Sequence, residues 1–115
     1  MSGVLPSRGE IWLVDLDPVR GREQAGKRPA LVVSTDVFNH GPAELVLLLP
    51  ITTKDKCIPL HIAVSAAGSG LRERSFVKCE DLRSVSRDRL TTHLGAVGPD
   101  TLADVEDRLR ILLEL

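Results

Sequence analysis

The side chains with most chemical potential lie in two short stretches. Between Pro18 and Arg28 the chain carries Arg20, Arg22, Lys27 and Arg28, with only Glu23 to offset them. Such crowding makes either a local site for a phosphate-bearing partner or a solvated basic loop. Farther on, Thr52 and Thr53 stand side by side at the end of an apolar run, followed by Lys54 and Lys56. Hydroxyls placed there either donate to an anion or finish the strand end; the lysines read as solvated charges.

Other chemistries find less footing. His40, His61 and His93 share no motif, and their expected places are a turn, a strand and a second turn. Nothing in that spacing brings two imidazoles together for acid–base work, so they read as structural or exposed. Cys57 and Cys79 have no CxxC or CxxH neighbour and are too few for a disulfide framework. Both are expected to be reduced, partly buried small hydrophobes. No carboxylate or His/Cys cluster suggests a metal, and no cofactor is expected. With no tyrosine, and only Phe38, Phe76 and Trp12 as aromatics, extended stacking of bases is not expected. Trp12 reads as core or dimer interface.

Several elements must position these residues. Glu10 to Asp17 alternates Ile11, Leu13 and Asp15 against Trp12, Val14 and Leu16, the period of a strand that Pro18 ends. Pro18 to Arg28 has Gly21 and Gly26 and no apolar period, which makes it a long loop. Pro29 to Ser34, Glu44 to Ile51, Ile58 to Val64 and Ser75 to Cys79 read as four further strands, with a turn over Asn39 to Pro42. Ser86 is placed to cap a short helical turn through Leu90. From Pro99 the pattern is helical: proline at the first position, Asp100 beside the positive helix end, and Leu102, Val105, Leu109 and Leu112 on one face. Strands followed by one helix give an α+β fold: a small, strongly curved antiparallel barrel-like sheet with a C-terminal helix packed on it.

A chain of 115 residues suits one domain over positions 1–115. At 43% hydrophobic and 27% charged residues it reads as a folded globular protein. No apolar run approaches the ~20 residues needed to span a bilayer, and Met1 to Arg8 lacks an apolar signal stretch. A cytoplasmic, membrane-free location is therefore expected. The net charge of −1 is unusual for a nucleic-acid binder, but the charges are segregated. Asp100, Asp104, Glu106, Asp107 and Glu114 stand against Arg108 and Arg110, opposite the basic loop.

Two motifs carry a family resemblance. Arg8-Gly9-Glu10-Ile11-Trp12, Asp15-Leu16-Asp17-Pro18 and Gly21-Arg22-Glu23-Gln24-Ala25-Gly26-Lys27-Arg28-Pro29-Ala30 resemble the opening of the MazF/PemK/Kid toxin endoribonucleases of type II toxin–antitoxin systems. Pro50-Ile51-Thr52-Thr53 resembles the second motif, and Leu71 to Val85, Arg89-Leu90 and the terminal helix follow the same layout. The resemblance implies an SH3-like barrel of the CcdB/PemK kind, a homodimer, and a cognate antitoxin whose disordered segment wraps the toxin. It also implies sequence-specific, metal-independent cleavage of single-stranded RNA, in which the ribose 2′-OH attacks the adjacent phosphate. The ends left are a 2′,3′-cyclic phosphate and a 5′-OH. By the same resemblance Arg28 and Thr52 are catalytic, and Arg22, Glu23, Gln24, Lys27, Thr53 and Asp81 form the RNA-binding surface.

The implied roles fit the chemistry. Attack at phosphorus builds negative charge on equatorial oxygens, and a guanidinium offers a rigid fork of donors that fits them. A hydroxyl at position 52 adds a donor to the same phosphate. An arginine, with a pKa above ~12, is a poor base at neutral pH, so charge stabilisation is its main expected work and the proton acceptor is unassigned. The chain departs from the common pattern at Arg22, where relatives often carry a small serine, and at Asp81, where many carry glutamine. Arg22 is expected to add a phosphate contact or shift base preference, and Asp81, which cannot donate when ionised, to change sequence preference. Two other readings compete: a CcdB-like gyrase poison of the same fold, and an inactive antitoxin-binding module. Intact Arg28 and Thr52 argue against both.

Overall fold

In the computed structural model, which describes residues 5–16 and 26–115, the alternation near the N-terminus becomes strand β1 (Glu10–Asp15). Its Ile11 enters one apolar core, while Trp12 and Val14 enter another on the opposite face. Strand β2 (Lys27–Val32) pairs with it antiparallel, from Ile11↔Leu31 to Asp15↔Lys27. Lys27 and Arg28 therefore belong to a strand and not to the loop expected to run through Arg28. The ladder to Asp15 and Val14 outweighs the missing apolar period.

Helix α1 (Asp36–Asn39), a single turn not read from the sequence, leads into the turn expected over Asn39–Pro42. Thr35 caps it, its Oγ1 accepting from the Phe38 amide at 3.4 Å, and buried Asn39 donates Nδ2 to the Ser34 carbonyl at 2.8 Å. Strand β3 (Leu45–Thr52) follows, then β4 (His61–Val64). The latter starts later than the Ile58 expected, because the His61 amide donates back to the Ile58 carbonyl at 2.9 Å and closes a turn through Pro59. Strand β5 (Ser75–Lys78), a short 3₁₀ turn at Cys79–Asp81, and β6 (Arg83–Ser86) come next. The turn expected over Ser86–Leu90 is a 3₁₀ turn at Arg87–Arg89, with no side-chain cap bond from Ser86; Leu90 already begins β7 (Leu90–Ala96).

All the pairings are antiparallel, and the order is β4-β5-β3-β2-β1-β7. One edge of β3 is shared: its first half pairs with β6 (Leu45↔Ser86 to Leu48↔Arg83) and its end pairs with β5 (Ile51↔Val77, Thr52↔Phe76). Irregular register between β1 and β7 adds bends there. The result is the α+β architecture read from the sequence, a strongly curled antiparallel sheet with a terminal helix. Trp12, Val14, Ala30, Val32, Val46 and Leu48 pack on its inner face. Leu31, Leu49, Val64, Val77 and Val105 belong to the core on the other face, under helix α2 (Pro99–Leu113).

Gly98 is the cap of α2, with Pro99 and Asp100 opening its first turn as expected. Val105 is fully buried and Leu102 and Leu109 are half-buried. Leu112, expected on the same face, is exposed together with Ile111, Leu113 and Leu115, because the last turn runs beyond the elements it packs on. Arg8 pairs with Glu106 and Arg108 donates Nε to the Pro59 carbonyl at 2.9 Å, fixing the helix at both sides. Beneath it His61 Nε2 lies 2.9 Å from Glu80. Burial pushes the Glu80 carboxyl up, but the His61 hydrogen bond, a backbone hydrogen bond and the nearby charges of His61 and Lys78 together outweigh it and leave the group below its ordinary range. Cys79 is buried and its thiol is pushed up to about 11 by desolvation. Cys57, expected to be partly buried, is exposed, because its amide bonds to Asp55 in a tight turn with positive φ.

The segment before β5 is pinned onto β7 by two glycines. A Cβ on Gly70 would come within 2.0 Å of the Leu94 carbonyl oxygen, and one on Gly95 within 2.3 Å of the Ser69 carbonyl oxygen. Backbone, not a flexible side chain, blocks the added methyl in both cases. Gly95→Ala is expected to lower unfolding free energy by about 1–3 kcal/mol in urea titrations. Gly98→Ser, at a position with open space around its Cβ, supplies a cap acceptor and is expected to raise it by roughly a few tenths of a kcal/mol. Equal stability of the Gly95 variant and the parent protein would show that the close approach is not a packing constraint.

Candidate active site

Strands β2 and β3 set the geometry. Their ladder ends at Ala30↔Pro50; carried two residues further, the same register would bring Arg28 opposite Thr52, which pairs with Phe76 of β5 on its other side. Both lie at strand ends, at the start of β2 and the finish of β3. The two-residue period puts them on the same face as Ala30. Arg28 is also the partner of Val14 on β1 and is solvent-exposed, so its cation sits at the edge of the apolar inner face without being desolvated.

Thr52 is half-buried, and its Oγ1 accepts from the Lys54 amide at 3.1 Å. This bond does two things. It turns the chain at the end of β3, and it fills an acceptor position of the hydroxyl while leaving the O–H proton as a donor. An anion held between Arg28 and Thr52 would thus meet a charged fork from one strand and a neutral donor from the next.

The other sequence-derived candidates spread around this pair. Lys27 is exposed beside Asp15, and Thr53 is exposed one residue beyond Thr52. Thr53 lines a groove together with Leu13, Pro29, Leu71, Arg72 and Leu94. Asp81 stands apart: β5 leaves β3 at Ile51↔Val77 and β6 joins it at Leu48↔Arg83, so the turn holding Asp81 passes the middle of β3. There its carboxylate accepts from Arg83 at 3.0 Å and lies 3.5 Å from Lys78 Nζ. Arg22, Glu23 and Gln24 lie outside the described residues.

The histidines have separate structural places. His40 Nε2 lies 2.8 Å from the Pro6 carbonyl oxygen, His61 is paired with Glu80, and His93 stacks on Trp12 with ring centroids 5.2 Å apart. Among the described residues no three His, Cys, Asp or Glu side chains are grouped to hold a metal ion. Sequence reasoning missed the groove because Leu13, Leu71 and Leu94 come from distant parts of the chain; no local motif could have joined them.

A fork of donors and a hydroxyl at adjacent strand ends can bind a phosphodiester and stabilise extra charge on it. Comparisons with known proteins point the same way. A family model described as a PemK-like, MazF-like toxin of type II toxin–antitoxin systems matches residues 7–113. Over 113 residues the chain is 37% identical to Endoribonuclease MazF9 of Mycobacterium tuberculosis, spanning 94% of this chain and 96% of that protein. Its fold is similar to the MazE–MazF crystal structure (Form-II) from Deinococcus radiodurans, with a TM-score of 0.86, 29% identity, and 98% and 99% of the two chains covered. It is also similar to an endoribonuclease in complex with its cognate antitoxin from a mycobacterial species, with a TM-score of 0.78, 27% identity, and 96% of each chain covered. With the match running through strands, helix and the Arg28–Thr52 strand ends alike, the chain belongs to the PemK-like, MazF-like toxin family of type II toxin–antitoxin systems.

Proposed function

We propose that this toxin is a sequence-selective endoribonuclease that cuts single-stranded RNA without a metal, using the substrate's own 2′-OH as nucleophile. What supports the reading is the register of β2 on β3 at Ala30↔Pro50, which carried two residues further would bring Arg28 opposite Thr52, with the Thr52 hydroxyl proton left to donate. Phosphate oxygens of the scissile bond would accept from the Arg28 guanidinium and from Thr52 Oγ1. As the 2′-oxygen closes on phosphorus, the added charge on the equatorial oxygens strengthens both contacts, so they favour the transition state over the bound substrate. The P–O5′ bond then breaks, leaving a 2′,3′-cyclic phosphate and a 5′-OH. DNA lacks the nucleophile and is spared. Lys27 and Thr53 flank the pair and would hold neighbouring nucleotides, joined by Arg22, Glu23 and Gln24 from the loop and by Asp81 farther along β3. Membership of this toxin family favours cleavage over the gyrase-poisoning reading.

A cognate antitoxin and a second copy of the chain are the proposed protein partners. The antitoxin reading rests on the antitoxin-bound structures the fold resembles. An acidic segment lying on the Arg20–Arg28 stretch would compete with RNA for the same cations, and binding would weaken with salt. Exposed Ile111, Leu113 and Leu115 at the end of α2 offer apolar surface for dimerisation. No helix of the described residues is long and apolar enough to cross a membrane. The proposed place of action is the cytoplasm, where the RNA is.

Incubating the pure protein with single-stranded RNA in excess EDTA tests the chemistry. Full cleavage with 5′-OH and cyclic-phosphate ends is expected, and loss of cleavage or 5′-phosphate products would refute it. Replacing Arg28 with alanine should lower the cleavage rate by about a hundredfold or more, the range for losing a preorganised oxyanion donor. Thr52→Val should cost roughly tenfold, as fits one neutral hydrogen bond. Since Arg28 is exposed, the Arg28→Ala protein should unfold at the parent's temperature; parent-like rates in that folded variant would remove Arg28 from the mechanism.

A further inference from the structure

Strand β3 has a neighbour on each side near its end. On the β2 side the row of side chains leads to Arg28; on the β5 side Thr52 is paired with Phe76. Residues opposite one another in a ladder share a face, so the Phe76 ring lies on the face that carries the Thr52 hydroxyl. Phe76 is 7% exposed and has Ala63 of β4 on its far side. Over this ring stands the guanidinium of exposed Arg74, its Cζ 5.1 Å from the ring centroid. This is a cation–π contact: it draws the cation onto the ring but supplies no oxygen to accept from its N–H donors.

The next cations along the chain are committed elsewhere. Asp81 accepts from Arg83 at 3.0 Å and lies 3.5 Å from Lys78 Nζ. Among the described residues no carboxylate comes within ion-pair distance of Arg74. A guanidinium held on a ring beside the proposed site, its donors unmet by a carboxylate, suits an anion from outside. Covering the ring is the competing role, since arginine stems shield apolar surface. The two roles differ in whether bound RNA feels the charge.

We propose that Arg74 is a second phosphate-binding residue, which takes the phosphate next to the scissile one. The inference deepens the RNA-cleavage reading and rests on it. Neighbouring strands lie about 4.7–4.9 Å apart, so β2 and β5, on the two sides of β3, are roughly 10 Å apart. Arg28 comes from the first, and the Phe76 ring keeps the Arg74 guanidinium over the second. The phosphate between Arg28 and Thr52 is left to those two, and the next one along an RNA strand crossing the sheet meets Arg74. That contact is the same in the bound substrate and in the transition state, so it contributes to binding and not to the chemical step. It reads no base, because every nucleotide brings the same phosphate.

The test uses 2′-O-methyl RNA pentamers, which lack the nucleophile, so that binding is read without cleavage. Affinity is measured against salt for the parent protein, Arg74→Gln and Arg74→Lys, all changes at an exposed side chain. Each phosphate neutralised on a single strand contributes a slope of about −0.7 in log K against log salt, so Arg74→Gln should flatten the slope by about 0.7. It should also weaken binding about tenfold, equally for an all-adenine and an all-cytosine pentamer. Arg74→Lys keeps the charge and should keep the parent slope. With unmodified RNA, Arg74→Gln should raise KM about tenfold and leave kcat within about twofold. A parent-like slope and affinity in Arg74→Gln would reduce Arg74 to a cover for the ring and overturn the proposal, as would a fall in kcat at unchanged KM. A protein that cut no RNA in EDTA yet showed the Arg74-dependent slope would refute the cleavage mechanism and keep this contact; one that cut RNA with a slope blind to Arg74 would refute the contact alone.

Discussion

The antiparallel register of β2 on β3 holds the rest of the molecule in place. Leu31↔Leu49 fixes it from one side of the sheet, where both side chains are fully buried under α2 and β5. Ala30, Val32, Val46 and Leu48 fix it from the other, within the curl. A slip of one residue would exchange the side chains of the two faces and undo the packing of both cores. Each large aliphatic side chain contributes about 1.5–3 kcal/mol by its burial, so no surface contact of Arg28 could pull the strands into another alignment. The proposed site takes its alignment from the cores.

That inheritance explains why the site stands at strand ends. Arg28 and Thr52 continue the inner-face rows of β2 and β3 at the point where apolar residues stop. One position later on that face of β2, at Ala30, would mean a buried cation, at a cost of several kcal/mol. One turn further into the loop would mean a side chain no longer aligned by the ladder. Asp15 opposite Lys27, one pair beyond Val14 and Arg28, and the Lys54 amide on Thr52 are the last fixed contacts before the chain leaves the sheet. Preorganisation of this kind comes from backbone pairing and requires no rigid network among the side chains proposed to act on the phosphate.

How much of this was legible in the sequence varied with the source of order. β1, β3 and α2 could be read because Ile11 to Val14, Leu45 to Ile51 and Leu102 to Leu109 carry the period of their own structure. β6 and β7 could not: Ser84, Ser86, Thr91 and Thr92 give no apolar alternation, and these strands exist because β3 and β1 offer edges to pair with. The same non-local pairing drew Lys27 and Arg28 into β2. Arg28 and Thr52 stood out as motif residues, but their opposition is a property of register, which no local pattern states. The groove was invisible for the same reason, and so was the hold of Arg83 and Lys78 on the Asp81 carboxylate.

The central claim is that Arg28 and Thr52 act on one phosphate as a unit. A double-mutant cycle of cleavage rates measures this directly, using the parent protein, Arg28→Ala, Thr52→Val and the double variant on one RNA in EDTA. The account predicts strong coupling, with the double variant losing little more than Arg28→Ala alone, because Thr52 has no phosphate to bond once the guanidinium that holds it is gone. Losses that simply multiply, so that the two residues contribute independently, would contradict it.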